Sequence, residues 1–592
     1  WVDSKDRVCA GSIPERYNSF FRNGYEKLVE EINEDPLLSK PEFEVKLGND
    51  ISIPMRDGVN LSTDIYFPDG IGPFPVILSR NPYKKEMAEI LARFFVRRGY
   101  IYAVQDVRGR YASEGEWRPL VNETRDGYDT IEWLAEQDWS NGKVGMFGSS
   151  YLGWVQWLAA KEKPPHLVTI IPNCSPTDPF MHLPYCNGAF TLGFALRWLE
   201  LTEKEAGADI TKQAIDEVRR NSSFRSMNYL PVIDLYERLY GSKNRIWEEW
   251  IEHNTNDEYW KEGSYLEHLD GLSIPVFNQS GWHDGDGIGT KLNYMTMDRS
   301  GTGMQKMVIG PWGHTPFDSR TDGQGTDYGS EAVIDLQKEY LRWFDKWLKG
   351  IDNGIDKEPL VSLFVMGTNK WIQGNKYPLM QTEFKKFYLS SNPNVSLPFG
   401  TGQLTKDIGL LQNSPESNSY DYDPGDPTPE NVSDRSDFLE FETNILAEPL
   451  TIAGPVSAVL YAGTTAKDTD WIMKLYRIDK NGGQKFLVHG IVRARFRESL
   501  SDPKLLEPEK IYEYKLDLWH TGITISPGEK LRLIVSSAYF PFYSRNLNTG
   551  GNNEIETEYM KATQTICHSL EYPSHVILPV ISNPEFTEYR NN

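Results

Sequence analysis

The chain has 592 residues, with 62 Lys and Arg against 84 Asp and Glu, a formal charge of −22. So acidic a surface argues against nucleic acid as the main partner, because phosphate binding needs basic residues, and no apolar run reaches the ~18 residues a membrane span requires. Apolar residues at 39% are enough to fill real cores, and the length points to two to four domains.

Residues 1–45 read as a polar N-terminal arm with helical spacing from Arg22 to Ile32, closed by Pro36 and Pro41. From 46 to 176 strands and helices alternate. Pro75 to Leu78, Tyr102 to Val104 and Val144 to Phe147 are short apolar runs; Glu86 to Arg98, Asp129 to Gln137 and Tyr151 to Lys161 have helical periodicity. The alternation resumes over 266–380 with Val276-Phe277, Met307 to Ile309 and an amphipathic helix from Ile334 to Lys349 stopped by Gly350. This pattern predicts an α/β class: a parallel sheet covered by helices on both faces. Between them, 177–265 is rich in Trp, Tyr and helix formers (Phe194 to Leu199, Trp247 to Trp250) and reads as a helical insertion over the active-site edge. From 381 to 592 the helical signal fades. Phe387 to Leu389, Val456 to Tyr461, Trp471 to Ile478, Leu487 to Phe496, Tyr512 to Trp519 and Leu531 to Ser536 look like strands separated by Gly, Pro, Asn and Asp clusters, as in an antiparallel sandwich. Leu411 to Asp434 is polar and reads as a long surface loop.

The strongest local signal is Gly148-Ser149-Ser150-Tyr151-Leu152-Gly153, between a strand and a helix. A nucleophile elbow needs that context, since a sharp strand-to-helix turn lifts a serine hydroxyl above the sheet. The closing glycine stands one place later than in G-x-S-x-G, and the G-x-S spacing puts the nucleophile at Ser150. A serine hydroxyl needs a base, and the base an orienting acid. In chain order these are Asp284, in Gly281-Trp282-His283-Asp284-Gly285, and His314, in Gly310-Pro311-Trp312-Gly313-His314, each just after a strand. A metal set of His283, Asp284, Asp286 and His314 is the weaker alternative, because the serine elbow already accounts for most of the group; no cofactor or metal is expected. The oxyanion hole takes the Tyr151 backbone N–H as its first donor. Tyr83, in Arg80-Asn81-Pro82-Tyr83, is either a phenol donor to the same oxyanion or a packing aromatic. Trp154 and Tyr185 are aromatic candidates for the substrate pocket.

Taken together, these residues resemble the CocE/NonD hydrolases of the X-Pro dipeptidyl-peptidase (S15-like) superfamily. The resemblance runs from about residue 46 to the end. It rests on Met55 to Val59, Arg80 to Tyr83, Asp106 to Arg110, Ser113 to Gly115, Gly145 to Gly153, Gly281 to Gly285, Gly310 to His314, Asn546 to Gly551 and Pro573 to Pro579. It implies an α/β-hydrolase core, an inserted helical cap and a C-terminal jelly-roll. It also implies acyl-enzyme chemistry, with Ser150 attacking, His314 shuttling the proton, Asp284 orienting the imidazole, and Tyr83 and Tyr151 holding the oxyanion. The superfamily covers esterases, X-Pro exopeptidases, α-amino acid ester hydrolases and β-lactam acylases, so it does not choose among small ester and amide substrates. Three features depart from the esterase pattern: the arm at 1–45, a shorter loop near 425–440, and Asp286 where related members carry an aromatic. Asp286 either pairs with a substrate amine or points into solvent. The non-enzymatic alternative is a glycan-binding jelly-roll beside a vestigial core.

Four cysteines make no disulfide scaffold; Cys174 and Cys186 pair only if the compartment is oxidising, and two buried free thiols are the simpler expectation. The chain starts at Trp1 rather than Met, as expected if a preceding segment was lost, and the compartment stays open between cytoplasm and a secreted or periplasmic location. Self-association is left open.

Overall fold

The computed structural model describes residues 10–13, 18–21, 35–203, 227–300, 303–314, 320–322, 325–391, 401–428 and 435–589. The helix expected from Arg22 to Ile32 lies outside them. The segment Ala10–Ile13 pairs with Asn18–Phe21 as a small antiparallel hairpin.

An eleven-stranded sheet forms the first layer. In chain order its strands are β1 (Val45–Pro54), β2 (Asn60–Pro68), β3 (Phe74–Asn81), β4 (Ile101–Asp106), β5 (Ser140–Ser149), β6 (Leu167–Asn173), β7 (Val276–His283), β8 (Gln305–Gly313), β9 (Val361–Val365), β10 (Lys370–Gly374) and the terminal Phe586–Thr587. Strands β3 to β9 pair in parallel; β1, β2, β10 and the terminal strand add antiparallel edges. The central strands are apolar runs because both faces are covered, as parallel sheets require. β1 escapes a sequence reading because it is an edge strand, largely exposed along its length. β3 lies between β4 and β5, so the winding reverses there. The crevice at the carboxyl ends of β3 and β5 is the switch point where α/β sheets bind ligands.

The covering helices include α1 (Glu89–Val96), α2 (Glu123–Ala135), α3 (Tyr151–Lys161), α8 (Gly287–Ser300) and α9 (Leu336–Phe344). Gly350, at φ 76°, ends the helical run after α9 in the left-handed conformation glycine tolerates. Between β6 and β7 lie α4 (Leu192–Glu203), α5 (Leu235–Tyr240), α6 (Arg245–Glu252) and α7 (Glu258–Lys261), a helical cap with its own apolar core of Phe180, Tyr185, Phe190, Trp247, Trp250 and Trp260.

A second eleven-stranded ladder follows, antiparallel except where Gly402–Thr405 meets Phe438–Glu442. The polar stretch from Leu411 to Asp434 is not all loop: Ser417–Tyr422 is an edge strand on Ala562–Cys567. Its serines and asparagine obscure it, but Tyr420 and Tyr422 alternate inward and are buried. The β-rich part is joined to the first sheet where the Met366 N–H donates to the Gly522 carbonyl and the Thr524 N–H to the Met366 carbonyl, and where the Trp282 and His520 rings meet edge-on with centroids 4.9 Å apart. Cys174, Cys186 and Cys567 are buried free thiols. Among the described residues no helix is long and apolar enough to cross a membrane.

Candidate active site

The carboxyl ends of four strands converge. β5 delivers Ser150, β3 leads into Tyr83, β7 leads into Asp284 and β8 into His314. Ser150 has φ 62° and ψ −124°, the strained geometry of a strand-to-helix elbow. Its N–H donates to the Asn173 carbonyl at the end of β6. The displaced glycine follows from packing. A Cβ on Gly153 would lie 2.8 Å from the Asn173 carbonyl oxygen and 2.9 Å from Ser175 Cβ, and one on Gly148 would lie 2.4 Å from Leu152 Cβ. Glycine is needed where α3 passes the neighbouring strand end.

His314 Nδ1 lies 2.8 Å from Asp284 Oδ1. The same oxygen accepts the Asp286 N–H at 2.9 Å, and Asp284 Oδ2 accepts the Ser280 hydroxyl at 2.5 Å. Burial by itself would raise the Asp284 carboxyl, but the facing His314 and these hydrogen bonds outweigh it and hold the group low, at about 2. A buried carboxylate so fully engaged is suited to fixing a tautomer and orientation of the imidazole. Cys174 Sγ, a carboxylate oxygen of Asp284 and a ring nitrogen of His314 fall within 4.8 Å of one another. Burial and the nearby Asp284 charge push the Cys174 thiol well up, and the Asp284 oxygens already accept from Asp286 and Ser280 and face His314. His283 turns away from this cluster; its Nε2 lies 3.1 Å from the Tyr328 hydroxyl.

Asp286 does not point into solvent. It is buried, with Oδ2 3.4 Å from Ser150 Oγ and 3.7 Å from His314 Nδ1. Burial pushes its carboxyl up to about 7 against the pull of His314, and the Asp284 charge adds to the rise. It forms the polar end of a narrow cavity with Ser150, whose other walls include Leu120, Trp154, Leu183, Phe194, Trp198 and Trp250. Trp154 is thus at the cavity, its indole N–H donated to the Gly263 carbonyl. Tyr185 packs in the cap core, fully buried against Phe180, with its hydroxyl on the Trp250 carbonyl. A larger open depression lined by Ser390, Thr401, Glu442 and Lys530 lies on the β-rich part and holds none of these groups.

Tyr83 is half-buried, its N–H fixed by Asn81 Oδ1 and its hydroxyl accepting the Trp198 indole N–H at 2.9 Å. Burial raises the phenol's pKa, so it stays protonated and able to donate. Tyr151 opens α3, where first-turn N–H groups lack helical acceptors. Its phenol donates to Glu123 Oε1 at 2.7 Å, and Glu123 Oε2 accepts from Arg80 at 2.7 Å. Sequence reasoning misses Ser280, Glu123 and Trp198; they carry no motif and meet the site only through the fold.

Residues 57–316 match the family model of the X-Pro dipeptidyl-peptidase (S15 family), and residues 353–577 match that of the X-Pro dipeptidyl-peptidase C-terminal non-catalytic domain. The chain is 34% identical over 583 residues to a cocaine esterase from Rhodococcus sp. (strain MB1 Bresler), covering 90% of this chain and 98% of that one. Among solved structures it resembles an α-amino acid ester hydrolase, with a TM-score of 0.74 and 27% identity over 91% of this chain and 97% of the other. An aminopeptidase from a marine sediment Thaumarchaeota archaeon has the same fold, with a TM-score of 0.74 and 24% identity, covering 92% of this chain and 97% of that one.

Proposed function

The chain belongs to the CocE/NonD hydrolases of the X-Pro dipeptidyl-peptidase (S15-like) superfamily and is a serine ester hydrolase, and from that premise we propose that it cleaves small or medium carboxylic esters or amides through an acyl-Ser150 intermediate. The reading of a vestigial core beside a glycan-binding module falls with that membership.

One observation carries the mechanism. The Asp284–His314 pair, closed at 2.8 Å, and the strained Ser150 elbow stand together at the carboxyl end of the sheet. In this reading Ser150 Oγ attacks the carbonyl carbon while His314 accepts its proton. Asp284 holds the imidazole and steadies the imidazolium. The tetrahedral oxyanion sits between the Tyr83 hydroxyl and the Tyr151 N–H, where one donor contributes about 3 kcal/mol. His314 returns the proton to the leaving oxygen or nitrogen, and water repeats the sequence on the acyl-enzyme.

Asp286 favours a narrower substrate class. A buried carboxylate beside the nucleophile, at the end of an otherwise apolar cavity, suits an acyl group bearing a protonated amine. The similar structure named as an α-amino acid ester hydrolase acts, by its name, on esters of amino acids. The discriminating experiment sets p-nitrophenyl esters, with and without an amine, against Ala-Pro-p-nitroanilide, for wild type and Ser150→Ala. Faster ester turnover, lost in Ser150→Ala, supports the reading. Preference for Ala-Pro-p-nitroanilide replaces it with an exopeptidase using the same triad.

A further inference from the structure

Tyr83 and Tyr151 come from different strands, yet one cap side chain touches both. Trp198, on α4, donates its indole N–H to the Tyr83 hydroxyl at 2.9 Å, and its ring stacks on the Tyr151 ring with centroids 5.9 Å apart and planes 20° from parallel. Trp198 is itself held between Phe194 and Trp250, at 6.2 and 5.9 Å with interplanar angles of 18° and 14°. Tyr151 is pinned from below as well, by Glu123 and by the Leu120 N–H at 3.0 Å.

A phenol has one proton and a small set of acceptor positions, whereas an indole N–H only donates. With Trp198 occupying an acceptor position, the Tyr83 proton must turn away from the indole. Among the described residues no hydrogen bond donated by the Tyr83 hydroxyl is recorded, which leaves that proton for a ligand. Donation into the phenol oxygen also polarises its O–H, so the proton becomes a better donor to a developing oxyanion. A hydroxyl fixed in advance loses no orientation at the moment of reaction.

Resting on the assignment of Tyr83 as an oxyanion donor, we propose that Trp198 is the positioning residue of the oxyanion hole, through which the docked cap sets the Tyr83 proton. Its role belongs to the transition state rather than to substrate binding, although it also walls the cavity.

The test measures kcat, KM and inhibition by phenylboronic acid, a tetrahedral mimic, for wild type, Trp198→Phe, Tyr83→Phe and the double variant. Trp198→Phe is expected to lower kcat and weaken the boronate by a common factor of about ten, with KM changed less than about threefold. In the Tyr83→Phe background, the same substitution should cost nothing further beyond about twofold. The isostere 3-(benzothien-3-yl)alanine at position 198 keeps the shape and stacking but lacks the N–H, and should reproduce the loss with an unchanged unfolding temperature. A Trp198 effect on KM alone, full activity of the isostere, or losses that multiply in the double variant would overturn the inference while leaving Tyr83 as a donor. Wild-type kcat in Tyr83→Phe would remove the oxyanion assignment itself, and the inference with it.

Discussion

Asp286 Oδ2 stands 3.4 Å from Ser150 Oγ, so a second carboxylate, besides Asp284 on His314, lies beside the proposed nucleophile. Its carboxyl is raised to about 7 by burial, which leaves it largely neutral below that pH and charged above it. For an ester whose amine stays protonated throughout, KM should fall as pH rises from 6 to 8, while KM for the matched neutral ester stays level. Asp286→Asn should raise KM for the amino ester by about ten- to a hundredfold, the worth of ~1.4–3 kcal/mol for a charge-assisted hydrogen bond, and remove that pH dependence. Equal, pH-independent turnover of both esters in wild type would rule out the amine contact.

Ser280 sits behind Asp284, the proposed triad acid, and its hydroxyl donates a hydrogen bond to Asp284 Oδ2. Ser280→Ala leaves one oxygen of a fully buried carboxylate short of a donor, at about 1–3 kcal/mol. The expected outcome is a kcat lowered about tenfold with KM nearly unchanged, read from steady-state kinetics on one ester.

The parts of the site that are readable in the sequence are those with local signatures. Ser150 lies in a strand–turn–helix of small residues, and Asp284 and His314 follow apolar strands in the chain order of α/β-hydrolases. Tyr83 is legible as a residue after a strand, but its hydroxyl partner is 115 residues away. No periodicity reports such a contact, and the same holds for Glu123 beneath Tyr151. Asp286 is misleading for a different reason. A flanking Gly285 and Gly287 spell an exposed turn, yet the Asp286 N–H bonds Asp284 Oδ1 and the side chain turns inward. In the fold, buried alternating runs are easy to read, whereas the edge strands β1 and Ser417–Tyr422 are too polar to stand out.

Gly153 gives a direct test of why the elbow's closing glycine is displaced. Gly153→Ala drives a methyl into the Asn173 carbonyl and Ser175. Backbone on one side cannot yield cheaply, so a loss of about 1–3 kcal/mol in unfolding free energy is expected, with kcat falling as Ser150 shifts. Denaturant melts and ester kinetics on the same preparation check both.

Acid stability follows from buried neutral histidines. Burial lowers His182, His283 and His568 to about 4 and His489 and His520 to about 3. Their unfolded values are about 6.5, so between pH 6.5 and 4 the unfolded chain binds more protons and stability falls as pH drops. Asp106 and Asp286, whose carboxyls burial raises to about 7, hold protons in the fold over the same range and offset part of this, so stability should fall below about 6.5 with a net slope of about three protons by pH 5. A melting temperature that stays level from pH 6.5 to 4.5 would contradict this balance of proton uptake.

The most direct test of the central claim is intact-mass analysis of the enzyme quenched during turnover of a p-nitrophenyl ester, for wild type and Ser150→Ala. Wild type is expected to gain one acyl mass, mapped by peptide digestion to the segment holding Ser150, and Ser150→Ala to gain none. Turnover by wild type with the acyl group mapped to another residue, or an adduct that persists in Ser150→Ala, would contradict an acyl-Ser150 mechanism.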